Sequence, residues 1–207
     1  MRLTKLEPLP GDRFSLTLED GSVLRCGMQE VLDFDLRSGL ELEGGDLERL
    51  REACAAWAVR RRAAALLAAR AMSAGELRQK LTEKGAEPRL AEEAVQRLLE
   101  LGAIDEKAYA ESVVRHYAAK GYGKRRIEQE LYRHKLPREL WAEAIETLPD
   151  TRETLDALVK KRLAAAPADR AGLKKLADSL LRRGYGWEEV RAAIARNATG
   201  EDDEPGD

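Results

Sequence analysis

The sequence predicts a mainly α-helical chain: three tandem copies of a three-helix unit behind a small N-terminal β-hairpin unit. Three observations carry this. The chain has 207 residues and 32 alanines, none of them in the first 50 positions; alanine is the strongest helix former, so helix is favoured only beyond that point. The stretch from Ser73 to Leu98 falls on itself when shifted by 50 positions, and again in part when shifted by 99. Charge is segregated as well. Residues 1–50 carry 6 bases and 11 acids, residues 51–197 carry 30 and 22, and the last ten carry five acids and no base. The overall net charge of -2 describes none of these surfaces.

The apolar fraction of 43% is enough for a sizeable core. No apolar run approaches the ~18–20 residues of a membrane span, and no charged start followed by an apolar block resembles a signal peptide. Cys26 and Cys54 are too few for a disulfide scaffold and lack CxxC spacing. A soluble cytoplasmic protein is expected.

Taken in order, the first element is a candidate strand over Leu3 to Leu6. Phe14, Leu16 and Leu18 alternate with polar residues as on a half-buried strand, followed by the turn signal Asp20-Gly21 and by Val23 to Cys26. A three-residue loop, Glu19-Asp20-Gly21 with Gly21 left-handed, pairs Leu16 with Leu24 and Phe14 with Cys26 and keeps one face apolar; a two-residue loop would set Arg25 against Leu16. Met28 to Leu36 is either a short helix or irregular. A hairpin alone is marginal in water, so this unit is expected to dock on the helical body.

The repeat then fixes nine helices. Leu77 and Leu81 meet Ile127 and Leu131 at a shift of 50, and Leu90, Ala94, Val95 and Leu98 meet Leu140, Ala144, Ile145 and Leu148. At 99, Leu176, Leu180, Gly184, Ala193 and Ile194 answer Leu77, Leu81, Gly85, Ala94 and Val95. The first helices run about 46–71, 105–120 and 151–166, the second 74–84, 124–134 and 170–183, and the third 88–101, 137–147 and 187–197. Ser73 with Glu76 forms a capping box. Gly85 and Gly184 suit left-handed helix exits, Pro88 and Pro137 suit first helical positions, and Tyr109, Val113 and Tyr117 form an apolar stripe. The division is 1–45 for the β unit, 46–102, 103–149 and 150–197 for the copies, and 198–207 for an acidic disordered tail.

Catalytic groups are scarce. His116 and His134 are the only histidines, and HExxH, paired Cys/His ligand spacing and GxSxG are all absent. Gly121-Tyr122-Gly123-Lys124 lacks the full phosphate-loop spacing and follows a helix. The expectation is a non-enzyme without cofactor or metal. The cationic clusters remain: Arg60, Arg61 and Arg62; Lys120, Lys124, Arg125 and Arg126; Arg133 and Lys135; Lys160, Lys161 and Arg162; Lys174 and Lys175; Arg182 and Arg183. Tyr122, Tyr132, Tyr185 and Trp187 are interleaved with them. Cations attract phosphates through counterion release and aromatic faces stack on unpaired bases. Against this, any single aromatic at such a spacing belongs more readily to the core, Trp141 and Trp187 above all, and cations line ordinary helix surfaces. Together the clusters point to an anionic partner.

The sequence resembles the RecX family of recombination regulators. The resemblance rests on Ser73-x-x-Glu76-Leu77-x-x-Lys80-Leu81-x-x-Lys84-Gly85, Val95-x-x-Leu98, Leu101-Gly102, Ile104-Asp105-Glu106-x-x-Tyr109-Ala110, Gly123-x-x-x-Ile127-x-x-Glu130-Leu131, Ala144 and Ile145. It covers about residues 58–195. The third copy departs most, with Leu173-Lys174-Lys175-Leu176 and Gly184-Tyr185-Gly186-Trp187, and the tail matches no family motif. The resemblance implies an elongated, curved helical array that binds RecA and lodges in RecA filaments on single-stranded DNA. There it would inhibit recombinase, ATPase and coprotease activities by limiting filament growth or stability, as a monomer and without catalysis of its own. Direct nucleic-acid contact by the cations is a further expectation, with the acidic tail competing for them. Two rivals stand beside this reading. One is a helix-turn-helix-like duplex-DNA regulator, although Pro88-Arg89-Leu90-Ala91 and Pro137-Arg138-Glu139-Leu140 offer little for base edges. The other is a helical-repeat scaffold for protein interaction.

Overall fold

The computed structural model describes residues 1–165 and 169–198. Residues 199–207, and with them nearly all of the acidic tail expected above, lie outside the described residues, as does Ala166 at the expected end of a helix. The chain divides into two compact units, one from Met1 to Ile104 and one beginning at Asp105.

In the first unit, β1 (Leu3–Leu9), β2 (Arg13–Leu18) and β3 (Val23–Gly27) form an antiparallel meander in that order. Leu16 pairs with Leu24 and Phe14 with Cys26, and Gly21 has φ +81°, as the three-residue loop requires. Leu6 faces Leu16 across β1 and β2, so the candidate third strand is real and longer than expected. Met28–Asp33 is the short helix α1. The next segment returns along β1: the Leu3 amide donates to the Leu40 carbonyl and the Gly39 amide to the Leu3 carbonyl.

The 26-residue helix α2 (Gly44–Ala69) is about 39 Å long and serves two cores. Its first half sets Leu47, Leu50 and Cys54 against Leu3, Leu16, Leu18 and Cys26 of the sheet. Its second half sets Val59 and Ala63 against α3 (Ala74–Glu83) and α4 (Pro88–Glu100), through Leu77, Leu81, Leu90, Ala94 and Val95. Burial of each leucine is worth about 2 kcal/mol, which is what lets the three-stranded sheet persist. The capping box forms at α3: the Glu76 amide donates to Ser73 Oγ at 3.0 Å and the Ser73 amide to Glu76 Oε2 at 3.3 Å.

The second unit repeats the pattern twice. Helices α5 (Glu106–Ala119), α6 (Lys124–Arg133) and α7 (Trp141–Glu146) enclose Val113, Val114, Ile127, Leu131 and Ala144. Helices α8 (Arg152–Leu163), α9 (Arg170–Arg182) and α10 (Trp187–Ala198) enclose Leu155, Val159, Leu176, Leu180, Val190 and Ala193. Three of the positions matched by shifts of 50 and 99 are thus core in all three copies: Leu77, Ile127 and Leu176; Leu81, Leu131 and Leu180; and Ala94, Ala144 and Ala193.

Two expectations are corrected. Pro137 does not begin one continuous helix. It precedes a single 3-10 turn, Arg138–Leu140, closed by the Leu140 amide on the Pro137 carbonyl, and α7 starts only at Trp141. The tighter turn brings Trp141 Nε1 to the Leu136 carbonyl at 3.1 Å. Trp187 is not a packing residue: it is 54% exposed, because Tyr185 already fills that end of the third core.

Candidate functional site

The cationic surface must be read cation by cation, since several of the expected site residues have duties inside the fold. On α2, Arg60 Nη2 donates to Glu30 Oε1 at 2.8 Å. Glu30 is a buried carboxylate whose other oxygen accepts the Gly27 amide at 3.0 Å. Arg61 lies over the Trp57 ring at 5.6 Å, and Arg62 donates to the Lys84 carbonyl at 2.9 Å. Arg60 ties α2 to α1 and Arg62 ties it to the end of α3, while Arg61 stacks within α2 itself.

In the second unit, the two Gly-Tyr-Gly turns meet. The Gly123 amide donates to the Arg183 carbonyl at 2.9 Å, and the Arg125 amide to the Gly184 carbonyl at 3.1 Å. The Tyr185 hydroxyl donates to the Gly121 carbonyl at 3.3 Å. The backbones approach so closely that a Cβ on Gly184, at φ +91°, would lie 2.3 Å from the Arg126 nitrogen. One on Gly123 would lie 2.5 Å from the Tyr185 nitrogen.

This crossing explains the Gly121-Tyr122-Gly123-Lys124 segment as a junction between copies. It also resolves an electrostatic conflict. Lys124, Arg125 and Arg126 occupy the first turn of α6, where a cation opposes the helix dipole by about 0.3–1 kcal/mol. Here the carbonyl end of α9 abuts that turn, and its partial negative charge offsets the cations.

Arg126 and Arg183 belong to the junction as well. Both guanidinium groups lie over the Tyr122 ring, at 5.8 and 5.7 Å. Arg183 Nη1 donates to the Lys120 and Gly121 carbonyls, and Lys120 Nζ lies 5.4 Å over Tyr117. Arg126 and Arg133 also clamp Glu130, which is only 2% exposed, with Nη2 of Arg126 at 2.8 Å and Nη1 of Arg133 at 3.3 Å. Burial, and then the hydrogen bond with Glu130, raise the pKa of Tyr117.

Sequence reasoning missed Glu130 as a hub. The available signal was an acid in the apolar phase of α6, between Ile127 and Leu131. It also missed Arg138, which stacks on Trp141 at 5.6 Å.

Among the described residues, Lys124, Arg125, Lys135, Lys160, Lys161, Arg162, Lys174, Lys175 and Arg182 form no ion pair. All nine are exposed. Lys161, Arg162 and Arg183 line one recess of about 280 Å³ with Leu158, Leu176 and Ser179. Arg133, Lys135 and Arg138 line another of about 360 Å³ with Tyr132, Leu136 and Trp141. Lys135 stands at φ +52°, where the other copies have Gly85 and Gly184. Among the described residues no cluster of His, Cys, Asp or Glu could hold a metal ion, and no helix is long and apolar enough to cross a membrane.

Comparison with known proteins agrees with the three-copy arrangement. RecX family models described as the first, second and third three-helix domains match residues 60–98, 105–145 and 150–194. "Regulatory protein RecX" of Stenotrophomonas maltophilia (strain R551-3) is 39% identical over 134 residues, covering 64% of this chain and 82% of the relative. The protein of that name from Xanthomonas campestris pv. campestris (strain B100) is 39% identical over 135 residues, covering 64% and 83%. The fold is similar to that in "Crystal structure of regulatory protein RecX", with a TM-score of 0.72 and 20% identity over 94% of this chain and 98% of the other. A RecX from Lactobacillus salivarius gives 0.64 and 21% over 70% and 97%. With all three domains matched in order and the relatives aligned over most of their length, the chain belongs to the RecX family of regulatory proteins.

Proposed function

We propose that this RecX family regulator binds RecA and RecA filaments on single-stranded DNA, and limits filament growth or stability. Recombinase, ATPase and coprotease activities would fall together, because all three need the filament. The observation that carries this reading is the full set of RecX three-helix domains in one chain. The chemistry of the surface is compatible with it. Nine exposed cations without ion pairs among the described residues suit a partner made of protein and polyanion.

The candidate contacts are best drawn from Lys124, Arg125, Lys160, Lys161, Arg162, Lys174, Lys175 and Arg182. Arg60, Arg62, Arg126 and Arg183 are held within the fold and act as supports. The chain works in the cytoplasm as a monomer and performs no chemistry of its own. The test is RecA-catalysed ATP hydrolysis on single-stranded DNA. Substoichiometric amounts of the full chain are expected to slow it, and an unchanged rate under conditions that support stable filaments removes the proposal.

A further inference from the structure

The recess at the end of α6 differs from its counterparts in a way that folding does not require. At the positions of Tyr132, Lys135 and Trp141, the first copy has Thr82, Gly85 and Ala91, and the third has Leu181, Gly184 and Val190. Both of those copies build the same helix–turn–helix core without a ring or a cation at these three positions, although the third carries exposed Trp187 at the position of Arg138 and Arg182 at that of Arg133. The second copy instead leaves Tyr132 67% exposed, and among the described residues its ring meets no aromatic or cationic partner.

It also keeps a lysine at φ +52°, a conformation that glycine adopts without the penalty of a Cβ. Arg138 is stacked on Trp141, and the indole is in turn anchored on the Leu136 carbonyl. One wall of the recess is therefore preset. Lys135 and Arg138 form no ion pair among the described residues.

From the free aromatic face beside two cations that form no ion pair among the described residues, we infer that this recess binds one nucleotide of a single-stranded nucleic acid. The base stacks on Tyr132, and the adjoining phosphate meets Lys135 and Arg138. A paired base keeps its faces inside the duplex, so stacking selects single strands. An acidic protein segment would use the cations but has no need of an open ring. The inference rests on the filament reading for its biological setting; its chemistry is measured without RecA.

The test is fluorescence anisotropy of the full chain with two labelled probes, a short oligothymidylate and an abasic strand of equal length. Tyr132→Ala is expected to weaken oligothymidylate binding about ten-fold and leave the abasic strand unaffected, while Tyr132→Phe binds as wild type. Lys135→Gly should weaken both probes and reduce the salt slope by about one. Circular dichroism checks that each variant stays folded. Oligothymidylate binding that is indifferent to Tyr132→Ala overturns the inference. So does binding displaced equally well by oligoglutamate, or wild-type preference for duplex over single strand. Tyr132-dependent binding without any effect on RecA would remove the proposed function and leave this site standing. Inhibition of RecA that is indifferent to Tyr132, with no oligothymidylate binding, would do the reverse.

Discussion

Gly184→Ala probes the junction between the second and third copies, and Gly85→Ala supplies its control. The two glycines hold equivalent places, at φ +91° and φ +84°. Each substitution incurs the left-handed penalty of a Cβ, about 1 kcal/mol. At Gly85 nothing lies within 4 Å of the added atom, so the cost stops there. At Gly184 the Cβ would stand 2.3 Å from the Arg126 nitrogen and 2.6 Å from the Arg126 Cβ, and backbone cannot step aside as a side-chain tip can.

The turn must move, and the Gly123 and Arg125 amides then lose the Arg183 and Gly184 carbonyls. Two hydrogen bonds at about 1 kcal/mol each, and more if a donor remains buried, bring the total to about 3 kcal/mol or above. Urea unfolding of both variants gives the difference, and hydrogen exchange across 121–127 locates it. Equal costs for the two substitutions, with the Gly123 and Arg125 amides still protected, would refute the junction as described.

Other consequences follow from single residues. Lys135→Gly relieves a left-handed lysine and should raise stability by about 0.5–1 kcal/mol in thermal unfolding; a lower melting temperature would contradict this. Glu130→Gln removes the charge that Arg126 and Arg133 clamp, and should cost about 2–3 kcal/mol, while Glu128→Gln on the same helix stays within about 0.5 kcal/mol. Cys26 and Cys54 are buried side by side; the hydrogen bond that the Cys54 thiol donates to Cys26, and then burial, raise the pKa of Cys54. Both thiols should resist a disulfide reagent in the native protein at pH 8 and react at once in denaturant; fast native labelling would argue against the docked sheet.

Helix boundaries were legible because their signals are local. Ser73 and Glu76 satisfy each other across one turn, and Gly85 and Gly184 terminate helices wherever the rest of the chain goes. The hairpin register was legible for a similar reason: only one loop length keeps Leu16 and Leu24 on the same face. What escaped was tertiary. Nothing near Gly123 announces that a turn some sixty residues later will cross it, although the repeated Gly-Tyr-Gly at 121–123 and 184–186 is a trace of that crossing. Pro137 looked like an ordinary helix start, and the 3-10 turn depends on where the Trp141 indole finds an acceptor.

The candidate site was legible in composition but not in assignment. Arginine runs such as Arg60-Arg61-Arg62 look uniform in sequence, yet each member has a separate partner inside the first unit. Conversely, Tyr132 belongs to a set of aromatics interleaved with the cations, any one of which the sequence places more readily in the core, and it stands exposed while Tyr185 of the same set is buried.

The most direct measurement of the central claim, that free cations of the second unit engage the RecA filament, uses the double variant Lys124→Glu, Arg125→Glu. Both side chains are exposed and form no ion pair among the described residues, whereas neighbouring Arg126 pairs with buried Glu130 and would confound the result. Inhibition of RecA ATP hydrolysis on single-stranded DNA is titrated for wild type and variant, with helical content matched by circular dichroism. The variant is expected to need about ten-fold more protein for the same inhibition, with the gap narrowing as salt rises. Inhibition at wild-type concentrations across the salt range would contradict the claim.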